Sequence, residues 1–459
     1  MALGRQGLNF ISLIILAHML TPEDYGLMGM MAIFIAVAET IMDAGMGGAL
    51  IKKQGASSID FNTLACYNLA ISLFLYFVIF AIAPLVSSYY SEPRLTVLLR
   101  LYGLVFIIEA VGLVPRVRML KELRIKALAI INLACGALSL VFAVIFALLG
   151  FGVYTLIFQL IISSSLFAIS VVLVTRYRFR FQFSLASFKE LFGFGFDTTL
   201  ANVIRNVSEN IIVNVVAKIS PLTITGYFNQ SYKLQNVVTS TQNSIIDNAL
   251  FPILTKEDDR EIVQHSIKIN NIAILIMSVS IALLVLNAHL EVRVLLGEKW
   301  LGMVNYLKIL FLAGWLQSFT AFNRNIFKSL AQTKEMIFIE LISLITLLSL
   351  FITSRIGVYG TISSFLFYVF IRWQTSLVFL SRKGHIRYAD YMKSFIIKTW
   401  GAALSFIMVS FLHLIDNEIL NGLLQSIMFL LLVVLWCELQ KQEDYLELKR
   451  ILLSRLRIK

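Results

Sequence analysis

Fourteen times along these 459 residues a run of about twenty mostly apolar residues closes on a short polar or basic segment, and nothing else constrains the fold as much. The runs lie at roughly 4–20, 27–50, 63–87, 96–115, 127–149, 153–174, 192–217, 226–250, 269–288, 304–326, 336–354, 358–380, 394–413 and 418–437. As helices rising ~1.5 Å per residue, such runs cross the ~30 Å of hydrocarbon in a bilayer. Lipid offers the backbone no hydrogen bonds, so a spanning segment must be a helix or part of a closed barrel. The alternating pattern of barrel strands is absent. The chain is therefore expected to be an all-α integral membrane protein with about 14 transmembrane helices. Composition removes the soluble alternative: 58% of residues are hydrophobic and 14% charged, against ~25% charged in an average soluble domain. The first run has no A-x-A cleavage site after it and another span follows directly, so it reads as a first helix and not as a signal peptide.

The net charge of +12 does not signal nucleic acid, because the Lys and Arg residues sit between apolar runs instead of gathering on one soluble face. They act as topology signals. When the loops are assigned alternately to two sides, the set holding the N-terminus carries several times as many Lys plus Arg as the other set. The positive-inside rule then places both termini in the cytoplasm, anchored most strongly by RVRMLKELRIK and RYRFRF. From Glu443 to Lys459, Tyr445, Leu448, Leu452 and Leu456 form a stripe among basic residues, the pattern of an amphipathic helix lying on anionic lipid. Cys66, Cys135 and Cys437 fall in or beside apolar runs without metal-ligand spacing and are expected to be free thiols.

Shifted by 200 residues the chain matches itself weakly: Arg5 falls on Arg205, Ala17 on Ala217 and Gly26 on Gly226, with Pro22 one place from Pro221. A second register, offset by 211, sets LLRLYG on ILFLAG. The expected organisation is an N-terminal six-helix lobe at 1–180, a pseudo-symmetric six-helix lobe at 181–385, two further helices at 386–437 and a basic tail at 438–459. Internal repeats of this kind are how many secondary transporters build alternating access.

Charge within a span costs at least about 2.5 kcal/mol on insertion scales, so it normally faces a bundle interior or a cavity. In the seventh run Asn202, Arg205, Asn206, Glu209 and Asn210 recur at helical spacing on one face. The eighth does the same with Lys233, Asn236, Ser240, Ser244 and Asp247. The plain structural reading of Arg205 is an ion pair with Glu209 one turn on, and that of Lys233 is a side chain snorkelling to the headgroups. In the second run Glu39 and Asp43, one turn apart, have the chemistry to exchange protons or hold a cation, and Asp43 equally suits a cap toward Lys52 and Lys53. Glu109 and Arg324 are single charges within their runs. There is no GxxxxGK[ST] loop, GxSxG elbow or HExxH, and the five histidines are scattered. No enzyme chemistry, metal or cofactor is expected.

Seven segments carry a family resemblance: LAHMLTPEDYGLMGM at 16–30, DAGMGGALIKK at 43–53, LGFGVYTLIFQ at 149–159, FGFGF at 192–196, TGYFNQS at 225–231, FPIL at 251–254 and LLGEKWLG at 295–302. With them the chain resembles the polysaccharide transporters, or Wzx-type flippases, of the multidrug/oligosaccharidyl-lipid/polysaccharide exporter superfamily. The resemblance implies a multi-pass protein of the bacterial cytoplasmic membrane that flips undecaprenyl-diphosphate-linked oligosaccharide by antiport against an ion gradient. Arginine suits such a diphosphate, because its planar fork donates two bonds to phosphate oxygens and stays charged. The expected substrate-facing set is Arg5, Arg205, Asn202, Asn206, Glu209, Lys233, Asn236 and Arg324. The expected ion-coupling set, for a proton or sodium ion, is Glu39, Asp43 and Glu109. The competing expectations are a cation-coupled multidrug exporter of the same superfamily and a membrane polysaccharide polymerase or ligase. The first would more often show an acidic cavity, the second a large external loop.

Overall fold

The computed structural model describes residues 2–254, 259–330, 332–383, 386–412, 415–440 and 445, with side chains at these positions other than 2, 3, 5, 43, 194, 195, 197, 198, 245–254, 259–270, 328, 329 and 333. The expected basic tail beyond 445 lies outside the described residues. The regular structure of the described residues is helical: α1 (Ala2–Met19), α2 (Pro22–Asp43), α3 (Met46–Lys52), α4 (Ser58–Tyr90), α5 (Arg94–Lys121), α6 (Ile125–Leu148), α7 (Tyr154–Thr175), α8 (Leu185–Ile219), α9 (Leu222–Leu254), α10 (Asp259–Leu295), α11 (Val304–Ser329), α12 (Thr333–Thr346), α13 (Leu350–Thr353), α14 (Val358–Arg382), α15 (Tyr388–Ser410) and α16 (Glu418–Leu439). Short 3-10 turns extend α12 and α13 into one apolar segment ending at Ile356.

The chain is a multi-pass membrane protein: ten of the described helical segments are long and apolar enough to cross a bilayer. That measure does not carry the expected count of fourteen. The expected first span coincides with a shorter apolar helix, Gln6–Met19, and three other expected spans coincide with α8, α9 and α11. In these three, Asn, Gln, Ser and charged residues dilute the apolar surface. A polar helix within such a bundle is one whose polar face is turned away from lipid.

Helix boundaries follow local chemistry. Thr21 begins α2 with a capping box, its backbone N–H donating to Asp24 Oδ2 at 3.0 Å while Asp24 N–H donates to Thr21 Oγ1 at 3.4 Å, and Pro22 takes the first turn. Ser57 and Asp60 repeat the device at α4. Ala44 and Gly45 both adopt left-handed backbone, at φ 42° and 66°, and so separate α2 from α3 inside the DAGMGG segment.

The helices pack into two compact units, one of Met1–Gln230 with Met336–Ser364, the other of Ser231–Glu335 with Phe365–Lys459. In the first, α5 packs on α4 and α7, α1 on α6, and α8 along α2. Leu27, Met31, Leu98, Phe106 and Ile157 fill its core. In the second, α10 packs on α11, α15 and α16 around Leu275, Val409, Phe429 and Val433.

Within the first unit, residues 200 apart in the sequence meet. A Cβ on Gly26 would stand 2.5 Å from the Leu222 carbonyl oxygen, and one on Gly226 would overlap the Pro22 carbonyl. Thr223 donates to Glu23, and the Asn229 side chain lies 3.1 Å from where a Gly29 Cβ would be. The first turns of α2 and α9 therefore cross about a local two-fold relation, so close that both crossing points must lack a side chain.

Candidate functional site

The five helices α1, α2, α5, α6 and α7 line a partly open cavity of about 620 Å³ in the first unit. Its polar groups come from different helices: Asn9 from α1, Glu39 from α2, Tyr102, Glu109 and Arg116 from α5, Asn132 from α6, and Ser163 and Ser164 from α7. On α5 the three polar residues recur every seven positions, which keeps them on one face about two turns apart. Small residues make the room. Gly112 and Ala168 let α5 and α7 approach, with a Gly112 Cβ meeting the Ala168 backbone at 3.2 Å, and Gly136 admits Leu8 of α1.

Each carboxylate in the cavity has a hydroxyl partner. Tyr102 Oη donates to Glu39 Oε1 at 3.0 Å, and Ser164 Oγ donates to Glu109 Oε1 at 3.2 Å. Tyr102 is buried, yet Glu39 is exposed although it stands between helices, so its carboxylate faces open volume and not packed atoms. Two carboxylates that accept from neutral hydroxyls beside a void can change protonation or take a monovalent cation without a neighbour having to unfold.

A second polar face lies on α8, which packs along α2. Arg205 Nη2 donates to Asn202 Oδ1 at 3.3 Å, and among the described residues its buried Nε meets no acceptor. A buried unsatisfied guanidinium N–H is costly unless something supplies the acceptor. Asn206 Nδ2 donates to Thr40 Oγ1 at 2.6 Å. Asn210 and Asn214 then each bond the carbonyl four residues back, at 2.8 and 3.1 Å, and Tyr90 Oη closes the ladder on Asn214 Oδ1 at 2.8 Å.

Of the residues singled out in the sequence, Glu39 and Glu109 thus share one cavity, while Asn202, Arg205 and Asn206 share one face of α8, where Glu209 is half-buried. Lys233 and Arg324, half-buried, and Asn236, exposed, belong to the second unit. The side chains of Arg5 and Asp43 lie outside the described residues. Sequence reasoning passed over Tyr102, Ser164, Arg116 and Thr40. The seven-residue spacing of Tyr102, Glu109 and Arg116 would have found two of them; Ser164 and Thr40 carry no signal until the helices are packed. Among the described residues no three of His, Cys, Asp and Glu converge as metal ligands would.

At the end of α3, Lys53 Nζ bonds Glu190 at 2.8 Å and Asp60 at 3.0 Å, and these carboxylates raise its amine above the usual lysine value. Lys121 Nζ donates to the Leu50 carbonyl at 2.7 Å, satisfying the last turn of α3.

Comparison with known proteins adds a second line of evidence. The profile of a family described as polysaccharide biosynthesis protein matches residues 15–305, well over half the chain. The lipopolysaccharide biosynthesis protein WzxC of Escherichia coli (strain K12) is 25% identical over 316 residues, covering 68% of this chain and 64% of that one. The succinoglycan biosynthesis transport protein ExoT of Rhizobium meliloti (strain 1021) is 26% identical over 249 residues, covering 54% of this chain and 50% of that one. The chain thus spans less than two thirds of the length of these relatives. Among solved structures, the lipid II flippase MurJ in an inward closed conformation superposes with a TM-score of 0.71 at 12% identity, covering 96% of this chain and 97% of that one. An inward-facing multidrug resistance MATE family transporter of the MOP superfamily superposes at 0.59 and 16% identity, covering 84% of this chain and 96% of that one. At these identities the two likenesses establish the fold and nothing further.

Proposed function

Because the chain belongs to the polysaccharide biosynthesis protein family, we propose that it moves a polyprenyl-diphosphate-linked oligosaccharide across a bacterial cytoplasmic membrane, from the cytoplasmic to the outer leaflet. It would do so as a transporter, without covalent chemistry on the substrate, and with both termini cytoplasmic. The observation that carries this reading is the Arg205 guanidinium, set on a polar face within an apolar bundle with a buried donor still to be satisfied. A diphosphate supplies the anionic acceptors that such a donor needs. The neighbouring Asn202 and Asn206 have the chemistry to meet sugar hydroxyls, and Arg5, Glu209, Lys233, Asn236 and Arg324 belong to the same proposal. The lipid tail needs no site of its own, since it remains in the bilayer.

Net transport in one direction calls for an energy source, and the Glu39–Glu109 cavity is the proposed place where a proton or sodium ion is taken up, with Asp43 included from its place one turn along α2. The two-lobe division at 180 and 181 is kept as the repeat's own division. A drug exporter would share this fold, but an arginine-bearing face repels the cationic drugs that such exporters carry.

The test is complementation of a strain lacking the flippase of a defined polysaccharide. The chain is expected to restore polymer. Arg205→Ala should abolish it at equal membrane abundance, and Arg205→Lys should restore it in part, because the charge stays and the bidentate fork is lost. Full polymer from Arg205→Ala removes the diphosphate assignment. Restoration by the pair Arg205→Glu, Glu209→Arg would do the same, by making Arg205 one half of an ion pair.

A further inference from the structure

The carboxylate cavity and the arginine-bearing face flank one helix, and α2 turns adjacent residues toward each. Glu39 points into the cavity and receives the Tyr102 hydroxyl of α5 at 3.0 Å. Thr40, the next residue and so about 100° further round the helix, receives Asn206 of α8 at 2.6 Å. The Thr40 hydroxyl hydrogen is committed to the Ala36 carbonyl of its own helix at 2.7 Å, so toward α8 it presents only a lone pair, and Asn206 must meet it with the amide NH2. Asn206 lies next to Arg205 and one turn from Asn202, the bonded partner of that guanidinium.

We propose that α2 is the mechanical link between the cavity and the arginine face, and that Thr40 is the positioning residue through which occupancy of the Glu39 carboxylate is passed to Asn206 and Arg205. The proposal rests on the reading that a coupling cation binds at Glu39 and a diphosphate at Arg205. An ionised Glu39 accepts a charge-assisted bond from Tyr102, which ties α2 to α5. When a proton or cation neutralises the carboxylate, that bond weakens to an ordinary one and α2 is released from α5. A helix moves as a stiff body, so Thr40 moves with Glu39 and carries Asn206 with it. The binding of cation and of lipid diphosphate then influence each other by the same factor in both directions, as linkage requires.

Other charged and titratable groups surround Glu39 and must be separated from it. Across the cavity these are Tyr102, Glu109 and Arg116 of α5 and Cys135 of α6. From the other side α8 brings Arg205 and Glu209, and α4 brings Tyr67, which bonds the Ile41 carbonyl. Thr40→Val adds and removes no titratable group among them.

The experiment measures equilibrium binding of undecaprenyl diphosphate to the purified full chain in detergent, between about pH 5 and about pH 8. Glu39→Gln serves as the baseline, because its remaining pH dependence belongs to the other groups and to the ligand's own titration. In the native chain the affinity ratio across this window should exceed that baseline by about tenfold, within the usual range of coupling between two sites. Thr40→Val keeps the branched shape without the hydroxyl and should fall to the baseline, and Thr40→Ser should regain the native ratio. If Thr40→Val is lost from the membrane, Asn206→Ala breaks the same bond from the other side and is held to the same criterion. A native ratio in the variant that breaks the bond overturns the link while leaving the coupling reading standing. A native chain no different from Glu39→Gln, or one that does not bind the lipid, overturns the coupling reading and the link with it.

Discussion

Two regions of this molecule bury polar side chains in an apolar bundle, and they do so in opposite ways. In the second unit, Gln235 of α9 bonds Gln317 of α11 at 3.1 Å and Thr239 at 2.7 Å, Gln242 bonds Ser280 of α10 at 2.9 Å, and Asn323 bonds Ser376 of α14 at 2.8 Å. These groups are neutral and closely packed: Gln235 is 0% exposed, Asn323 1% and Gln317 9%. In the first unit the polar groups of α2, α5 and α7 leave a cavity of about 620 Å³ between them, and the groups facing it include two carboxylates and an arginine. Hydrogen bonds between helices in a membrane are worth only about 0.6–2 kcal/mol each, so the amide network reads as an adhesive that fixes packing. Open volume beside titratable groups does little for packing and suits exchange with a ligand. A polar residue inside a span is therefore weak evidence of a site by itself; the void next to it and its ability to change charge carry the assignment.

The contrast can be broken in several places. Replacing both cavity carboxylates, Glu39→Gln with Glu109→Gln, should reduce gradient-driven transport about a hundredfold, near the upper end of two-site coupling. Membrane abundance should be unchanged or higher, because two charges are removed from the bundle. Polymer yield per folded molecule in the complemented strain reads this directly. Gln235→Leu should show the reverse pattern. It removes the amide donor to Gln317 Oε1 and Thr239 Oγ1, while Thr239 keeps its bond to the backbone carbonyl of residue 235, and is expected to cost about 1–3 kcal/mol of stability. Thermal unfolding in detergent should record that loss, with transport per folded molecule within about twofold of the native chain. If Gln235→Leu instead removes transport from a fully stable protein, the amide network is a site and the contrast fails. The smallest effect is expected at Lys53, outside both regions. Its raised amine pKa means that the ion pairs with Glu190 and Asp60 stabilise the fold below the ordinary lysine value, and that this is lost as pH rises through the raised one. Lys53→Met should therefore lower the unfolding midpoint slightly at neutral pH, by about 1 kcal/mol or less in free energy, and converge with the native chain in alkali.

The apolar runs made the helical membrane fold legible, because lipid imposes its requirement on every segment separately. The polar faces could be read for the same reason, and Arg205 with Asn202, or Glu39 and Glu109, stood out one by one against apolar neighbours. The cavity that joins Glu39 to Glu109 could not be read, although both were expected in one coupling set, since α1, α2, α5, α6 and α7 line it and Glu109 lies 70 positions from Glu39. Tyr102 and Ser164 were passed over because a hydroxyl in a span is unremarkable until its acceptor is known. The repeat aligned Gly26 with Gly226, yet alignment said nothing of the reciprocal contact that excludes a side chain at both positions. The count of spans was least secure where polar residues had been recruited to interior faces, in α8, α9 and α11.

The central claim is that lipid-diphosphate translocation draws on an ion gradient taken up at the carboxylate cavity. It is tested most directly by reconstituting the full chain in liposomes, with a fluorescent undecaprenyl-diphosphate disaccharide in one leaflet and an imposed proton or sodium gradient. The account predicts movement to the opposite leaflet that reverses direction when one of these gradients is reversed, and that loses its gradient dependence when Glu39 and Glu109 are both changed to glutamine. Movement indifferent to either gradient in the native chain, or equally gradient-driven in the double variant, would contradict it.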